Sequence, residues 1–98
     1  MSIVQYPAPP TFTTAIKSIQ PFTIALAAAG SNTATITSVN TSKAYIVYGG
    51  AQLDSTAAGG GAHNWFCELT LTNATTVTAA RGGNTGTVTV AGTVVEFL

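Results

Sequence analysis

Charge is what this chain has least of. Lys17, Lys43, Arg81, Asp54, Glu68 and Glu96 are the only formally charged residues among 98, and they sum to zero. Soluble monomers carry roughly 25% charged residues, which hydrate the surface and keep copies apart. With three scattered cations the chain has no basic stripe for a phosphate backbone, so nucleic acid is excluded as an expected partner. It has one cysteine, Cys67, which excludes an internal disulfide framework and a cysteine-rich metal centre. Beside Trp65, Phe66 and Leu69 that thiol reads as a small apolar filler on a strand. The single histidine, His63, has no second imidazole and no clustered acids to share a metal ion, and reads as an exposed or hydrogen-bonded structural residue. Long apolar runs are also missing. The longest, Ile24 to Ala29, is far shorter than the roughly 20 residues of a membrane-spanning helix, so no membrane partner is expected. Met1 to Pro10 lacks the basic start and apolar run of a secretory signal.

Catalysis needs convergent titratable groups, and here one histidine and three carboxylates are dispersed along the chain. No Gly-x-Ser-x-Gly nucleophile motif occurs. The glycine runs Gly59-Gly60-Gly61 and Gly82-Gly83 lack the lysine and the strand-to-helix setting of a phosphate-binding loop. The expectation is a protein that is not an enzyme and uses no cofactor and no metal. The triplets at Asn40 and Asn73 match a glycosylation acceptor, but so short a pattern arises by chance in a threonine-rich chain.

What the chain has instead is threonine, 18 residues of it. Hydroxyl and amide groups bond to a neighbour without the desolvation penalty that an ion pays on being covered. Such a surface suits permanent contact with other chains.

One domain fits this length. Residues 1–14 form a separate expected element, because Pro7, Pro9 and Pro10 remove donors and hold their predecessors extended. This arm is predicted to be polyproline-like, with Tyr6 and Phe12 available to anchor it on a neighbouring subunit. From Ala15 the period is two. Runs at Phe22 to Leu26, Thr33 to Thr37, Lys43 to Tyr48, Trp65 to Thr72, Thr75 to Arg81, Thr87 to Ala91 and Thr93 to Leu98 read as strands. Between them stand Gly30-Ser31-Asn32, Asn40-Thr41-Ser42, Asn73-Ala74, Gly82-Gly83-Asn84 and Ala91-Gly92, with the composition of turns. Their spacing of roughly eight to twelve residues predicts an all-β fold over residues 15–98: an antiparallel β-sandwich, jelly-roll or immunoglobulin-like, of seven or eight strands.

In the Trp65 run, Trp65, Cys67, Leu69 and Leu71 share the predicted core face. Gly49 to His63, rich in glycine, is predicted to be a long loop, with Gln52, Asp54 and His63 its candidate contacts. Glu68 and Glu96 are predicted to point away from the core, guarding an edge or meeting a cation across an interface. Tyr6, Pro9, Pro10, Phe12 and Tyr45 are the candidate subunit contacts. Tyr45 and Val47 fall on the face opposite Ala44, Ile46 and Tyr48. The leading expectation is that another subunit covers that face; the alternative is a carbohydrate- or cell-surface-binding module in which the Gly49 to His63 loop and nearby aromatics, Tyr45 and Trp65 among them, bind a host-surface glycan.

Several stretches carry a resemblance. Ser18-Ile19-Gln20 before a strand, Ser-Val-Asn-Thr-Ser-Lys-Ala-Tyr-Ile-Val-Tyr-Gly-Gly over residues 38–50, Leu-Thr-Leu-Thr-Asn-Ala-Thr-Thr-Val-Thr-Ala-Ala-Arg-Gly-Gly over 69–83, and the ending Thr-Val-Val-Glu-Phe over 93–97 are strand-and-turn segments. Together, from Lys17 to the C-terminus, they resemble a family of small β proteins encoded among tailed-phage structural genes. The resemblance implies a virion component: a capsid decoration protein, a head or tail fibre, or a collar or tail-tip module. It implies a homo-oligomer, with a trimer favoured, that binds other virion proteins and carries no catalytic residues. Residues 1–14 lie outside the similar part.

Overall fold

A computed structural model describes residues 15–54 and 61–98. They are all-β. Six strands form: β1 (Ile16–Ala27), β2 (Ser31–Thr35), β3 (Ala44–Leu53), β4 (Cys67–Asn73), β5 (Thr76–Arg81) and β6 (Thr87–Phe97). All pairings are antiparallel, in one three-stranded sheet of order β1-β6-β3 and a second of order β2-β5-β4. The two sheets share one apolar cluster. Ile24, Leu26, Val88, Val90 and Val94 come from the first, Val77 and Ala79 from the second, and Ile36 and Val39 from the segment that follows β2.

The number of strands differs from the expected seven or eight, and the difference traces to Ala91-Gly92. This pair is not a turn. It lies inside β6, the central strand of its sheet, with Gly92 opposite Phe22 on one side and Tyr48 on the other. A Cβ on Gly92 would come within 2.7 Å of Phe22 Cζ and 3.1 Å of both Leu69 Cδ1 and the Val47 carbonyl oxygen. The glycine is there because a ring occupies the space of its missing side chain. The expected long loop from Gly49 to His63 is corrected for the same kind of reason. β3 continues through Gly49 and Gly50 to Leu53, absorbing one extra residue in a bulge between Tyr48 and Gly50, where Gly50 takes φ +139°. Residues 55–60 of that stretch lie outside the described residues.

Trp65 also departs from expectation. β4 starts at Cys67, and Trp65 and Phe66 stand exposed after a 3₁₀ turn, Ala62–Asn64, so Trp65 is not part of the core. Cys67, Leu69 and Leu71 do pack against the core, each partly buried. Both chance glycosylation triplets are explained locally. Asn40 Oδ1 accepts from the Ser42 amide and Asn73 Oδ1 from the Thr75 amide, closing Asx turns.

Two charges are inside, and for Glu96 this corrects the expectation that it points away from the core. Glu96 is 3% exposed and Arg81 is 8% exposed. Glu96 follows the inward parity of Val90, Gly92 and Val94, and its carboxylate accepts from the Asn40 amide at 2.7 Å and the Ser18 hydroxyl at 3.1 Å, with Lys17 Nζ at 3.8 Å. Arg81 follows the inward parity of Val77 and Ala79. Its guanidinium donates to four backbone carbonyls: Ala29 at 2.9 Å, Asn64 at 3.2 Å, Leu26 at 3.3 Å and Gly86 at 2.7 Å. One side chain thereby joins the end of β1, the turn before β2, the 3₁₀ turn and the β5–β6 connection.

Candidate partner interface

With two of its six charges inside, the protein leaves Lys17, Lys43, Asp54 and Glu68 exposed. Lys17 shares the parity of Ile19 at one end of the first sheet's outer face and Asp54 sits beside Thr87 at the other, and between those ends the face carries no charge. On the first sheet the rows Ile19-Val95-Tyr45, Pro21-Thr93-Val47 and Ala25-Thr89-Gln52 run across β1, β6 and β3. Val95 is buried although it lies outside the core cluster, as expected of a side chain flanked by Ile19 and Tyr45. The Tyr45 and Phe97 rings stack with centroids 5.5 Å apart. This end of the sheet face is apolar; the rest is largely threonine and alanine, with Gln52 at the β3 side. Where Gly49 carries no side chain, a shallow depression of about 450 Å³ opens between Pro21, Thr23, Ala91 and Thr93.

The outer face of the second sheet is hydroxyl-bearing. Thr33, Thr78 and Thr70 form one row, with Thr35 and Thr76 in the next. Thr72 and Thr78 hydroxyls bond to each other at 2.5 Å. Such cross-strand threonine pairs support a sheet while leaving methyl groups outward.

The candidate residues within the described part do not gather at one place. Tyr45 lies at the Val95 end, on the outer face as predicted and half exposed. Gln52 is on β3 opposite Thr89, not in a loop, and Asp54 follows it. Asp54 closes the strand pair: its amide donates to the Thr87 carbonyl at 3.0 Å and its carboxylate accepts from the Thr87 amide at 3.1 Å. The two line a shallow depression of about 340 Å³ with Thr87 and Thr89. His63, exposed in the 3₁₀ turn, holds its backbone against the β5–β6 connection, its carbonyl accepting from the Gly83 amide at 3.0 Å. A Cβ on Gly83 would overlap Asn64 Oδ1. Gly82-Gly83 is therefore a close approach as well as a turn. Tyr6, Pro9, Pro10 and Phe12 lie outside the described residues.

Tyr45 and Trp65 do not share a platform. Trp65 follows Asn64, which Arg81 ties to Gly86 at the start of β6, whereas Tyr45 pairs with Val95 near the end of that strand. Eight residues of strand separate those levels, about 26 Å at 3.3 Å per residue. A single sugar cannot stack on both.

Among the described residues no three His, Cys, Asp or Glu side chains gather as a metal site. The shifts in titration are those of packing. Glu96 is held below the usual glutamate range, chiefly by the Asn40 amide and then by the Ser18 hydroxyl and the Lys17 and Lys43 charges, against the upward push of burial. Burial raises the Cys67 thiol and the Tyr48 hydroxyl. The arrangement of the described residues offers broad surfaces for contact. Sequence reading missed Ile19 and Phe97 as exposed apolar residues of the first sheet; their outward parity with Pro21 and Val95 was the available signal. No protein-family model, no curated protein and no solved structure matches this chain.

Proposed function

We propose that this protein is a non-enzymatic structural component of a tailed-phage virion, a homo-oligomeric capsid decoration or head-fibre protein or a collar- or tail-attached module. The observation that carries the assembly part is the placement of charge: Arg81 and Glu96 are spent inside, so both broad sheet faces are nearly uncharged. A lone soluble domain gains nothing from that. A domain packed among other chains does, because it covers hydroxyls and apolar groups without stripping water from ions. The phage setting rests on the resemblance of residues 17–98, and the trimer is the symmetry that resemblance implies. The arm over residues 1–14, through Tyr6, Pro9, Pro10 and Phe12, is the segment that reaches a neighbour. The fold fits the role as a β-sandwich, and the nested pairing of β1 with β6 and β2 with β5 supports a jelly-roll winding over an immunoglobulin-like one.

Light scattering of the purified protein tests this. An oligomer is expected at micromolar concentration, with a mass insensitive to salt between about 0.05 and 1 M, because no ion pairs hold it. Quantitative mass spectrometry of intact particles is expected to find it at a fixed copy number. A monomer with no affinity for capsids or tails refutes the proposal.

A further inference from the structure

A sheet edge is a row of unpaired backbone donors and acceptors, and it recruits strands unless something blocks it. Two three-stranded sheets have four edges, and three of them are blocked. β1 has Pro21 at its centre and Lys17 near its start, and its Ala25 carbonyl accepts from the Asn32 side-chain Nδ2 at 2.8 Å. β2 is five residues long and laced to β1: beside the Asn32 bond, the Gln20 side chain both donates to and accepts from the Thr37 backbone just beyond it. β4 carries Glu68 and a bulge between Leu71 and Asn73. β3 is different. Its own bulge lies beyond Tyr48 and leaves Ala44–Tyr48 regular; over Ala44–Leu53 it has no proline and no charge, and among the described residues its neighbour in the sheet is β6 alone. The side chains along its outer border are apolar on both faces and half exposed: Tyr45 at 48%, Val47 at 46% and Tyr48 at 50%.

We infer that β3 is a docking strand and that its occupant is β3 of a second copy. Among the described residues the second copy offers one unblocked edge, which is again β3. Pairing the two closes both edges at once and gives an isologous, two-fold contact. The register follows from the bulge. The regular part of β3 ends at Tyr48, so the antiparallel pairing that uses all of residues 44–48 centres on Ile46. Tyr45 then faces Val47 of the partner subunit on the outer face, and Ala44 faces Tyr48 of the partner subunit on the inner one. Aromatic with β-branched pairs of this kind are the favourable cross-strand combination. The result is one continuous six-stranded sheet whose outer face carries both Tyr45-Phe97 stacks.

This inference rests on the homo-oligomer part of the reading above; a two-fold contact cannot close a trimer by itself, so it pairs subunits two by two or joins one trimer to another. It is tested in the full-length chain with Cys67→Ser as background. In that background, Tyr45→Cys with Val47→Cys is expected to give a covalent dimer under mild oxidation, with the 45-to-47 intermolecular link found by peptide mass spectrometry; an i, i+2 pair on one strand cannot close on itself. Separately, Tyr45→Lys with Val47→Lys is expected to weaken self-association about tenfold or more, while circular dichroism shows the fold intact. If the wild type is oligomeric but the lysine variant associates equally well and no cross-link forms, β3 pairing is overturned and the assembly reading stands. A trimer with β3 amides that exchange freely overturns it too. A wild type that is monomeric overturns both.

Discussion

Arg81 is the side chain whose replacement most directly tests how this fold is held together. Its guanidinium sits at a point where four backbone segments meet, and among the described residues no carboxylate pairs with it. Backbone carbonyls carry the role that a counter-ion would have elsewhere. Arg81→Met keeps roughly the length and apolar stem and removes every donor. The Ala29 and Gly86 bonds are part-buried, so water can replace them; the Asn64 and Leu26 bonds are buried, so it cannot. Hydrogen bonds to a charged group contribute about 1.5 to 3 kcal/mol each. The two irreplaceable ones therefore set a loss of about 3 to 6 kcal/mol, and relief from burying the guanidinium offsets part of it. A net loss of about 3 kcal/mol is expected, a large share of the roughly 5 to 15 kcal/mol typical of a domain. With a urea slope of about 1 to 2 kcal/mol per molar, the midpoint should fall by about 1.5 to 3 M, measured at one fixed protein concentration because the chain is proposed to associate. Arg81→Lys keeps the charge but offers one nitrogen where four acceptors diverge, and should lose more than half as much. If Met at this position leaves the midpoint within about 0.3 M of wild type, the carbonyl cluster is not a keystone; if Lys restores it fully, charge matters and the fork does not.

Gly92→Ala places a methyl group against the Phe22 ring and the Val47 carbonyl; the ring can shift but the backbone cannot, and a loss of about 1 to 3 kcal/mol is expected. By thermal melting that is a drop of at least about 4 °C, and an unchanged melting temperature would show that β6 bends away at this point. Glu96, whose folded pKa lies below its ordinary value, contributes stability that is fully present above about pH 4.3 and is lost as pH falls through the lower folded value. The stability difference between wild type and Glu96→Gln should therefore be largest at neutral pH and shrink on acidification, read from urea midpoints across the range; a difference that stays constant with pH contradicts the depressed carboxylate.

The period-two pattern made the strands legible because threonine, valine and isoleucine fit a pleated half-buried surface wherever they alternate. What it did not yield was continuity. Glycine reads as punctuation, and two glycine positions here are instead places where another group comes close: Gly92 under Phe22, and Gly83 against Asn64. Splitting the last run at Ala91-Gly92 had a second effect. Val88, Val90, Gly92, Val94 and Glu96 share one parity, so an unbroken strand puts Glu96 on the core side, whereas a strand restarted at Thr93 inherits no parity from Val88 and Val90. Arg81 shows the same signal in plainer form, two positions after Ala79 and four after Val77. The candidate surface was legible in Tyr45, whose outward parity the structure repeats. It was not legible in Trp65, because the strand start at Cys67 depends on a 3₁₀ turn fixed by distant partners, the Arg81 guanidinium and the Gly83 amide.

The buried charges also explain how so small and polar a core boundary is closed. Each sits at one end of the molecule, Glu96 where β1, β6 and the Asn40 turn meet, and Arg81 where β1, β5 and the β5–β6 connection meet. Those are the places where chain segments leave the sheets and backbone groups lose their ladder partners, so a multidentate acceptor at one end and a multidentate donor at the other satisfy them with a single side chain each. Among the described residues every buried side-chain polar atom has a partner. Charge used this way is unavailable at the surface, and the sheet faces between the two ends are left largely to threonine, alanine and a few aromatics, with Glu68 the charge on the second sheet. The contacts proposed for such faces and for the β3 edge would depend on area and backbone pairing rather than on ion pairs. Simple salt therefore has little to screen, and strongly excluded salts such as sulfate act in the opposite direction by favouring burial.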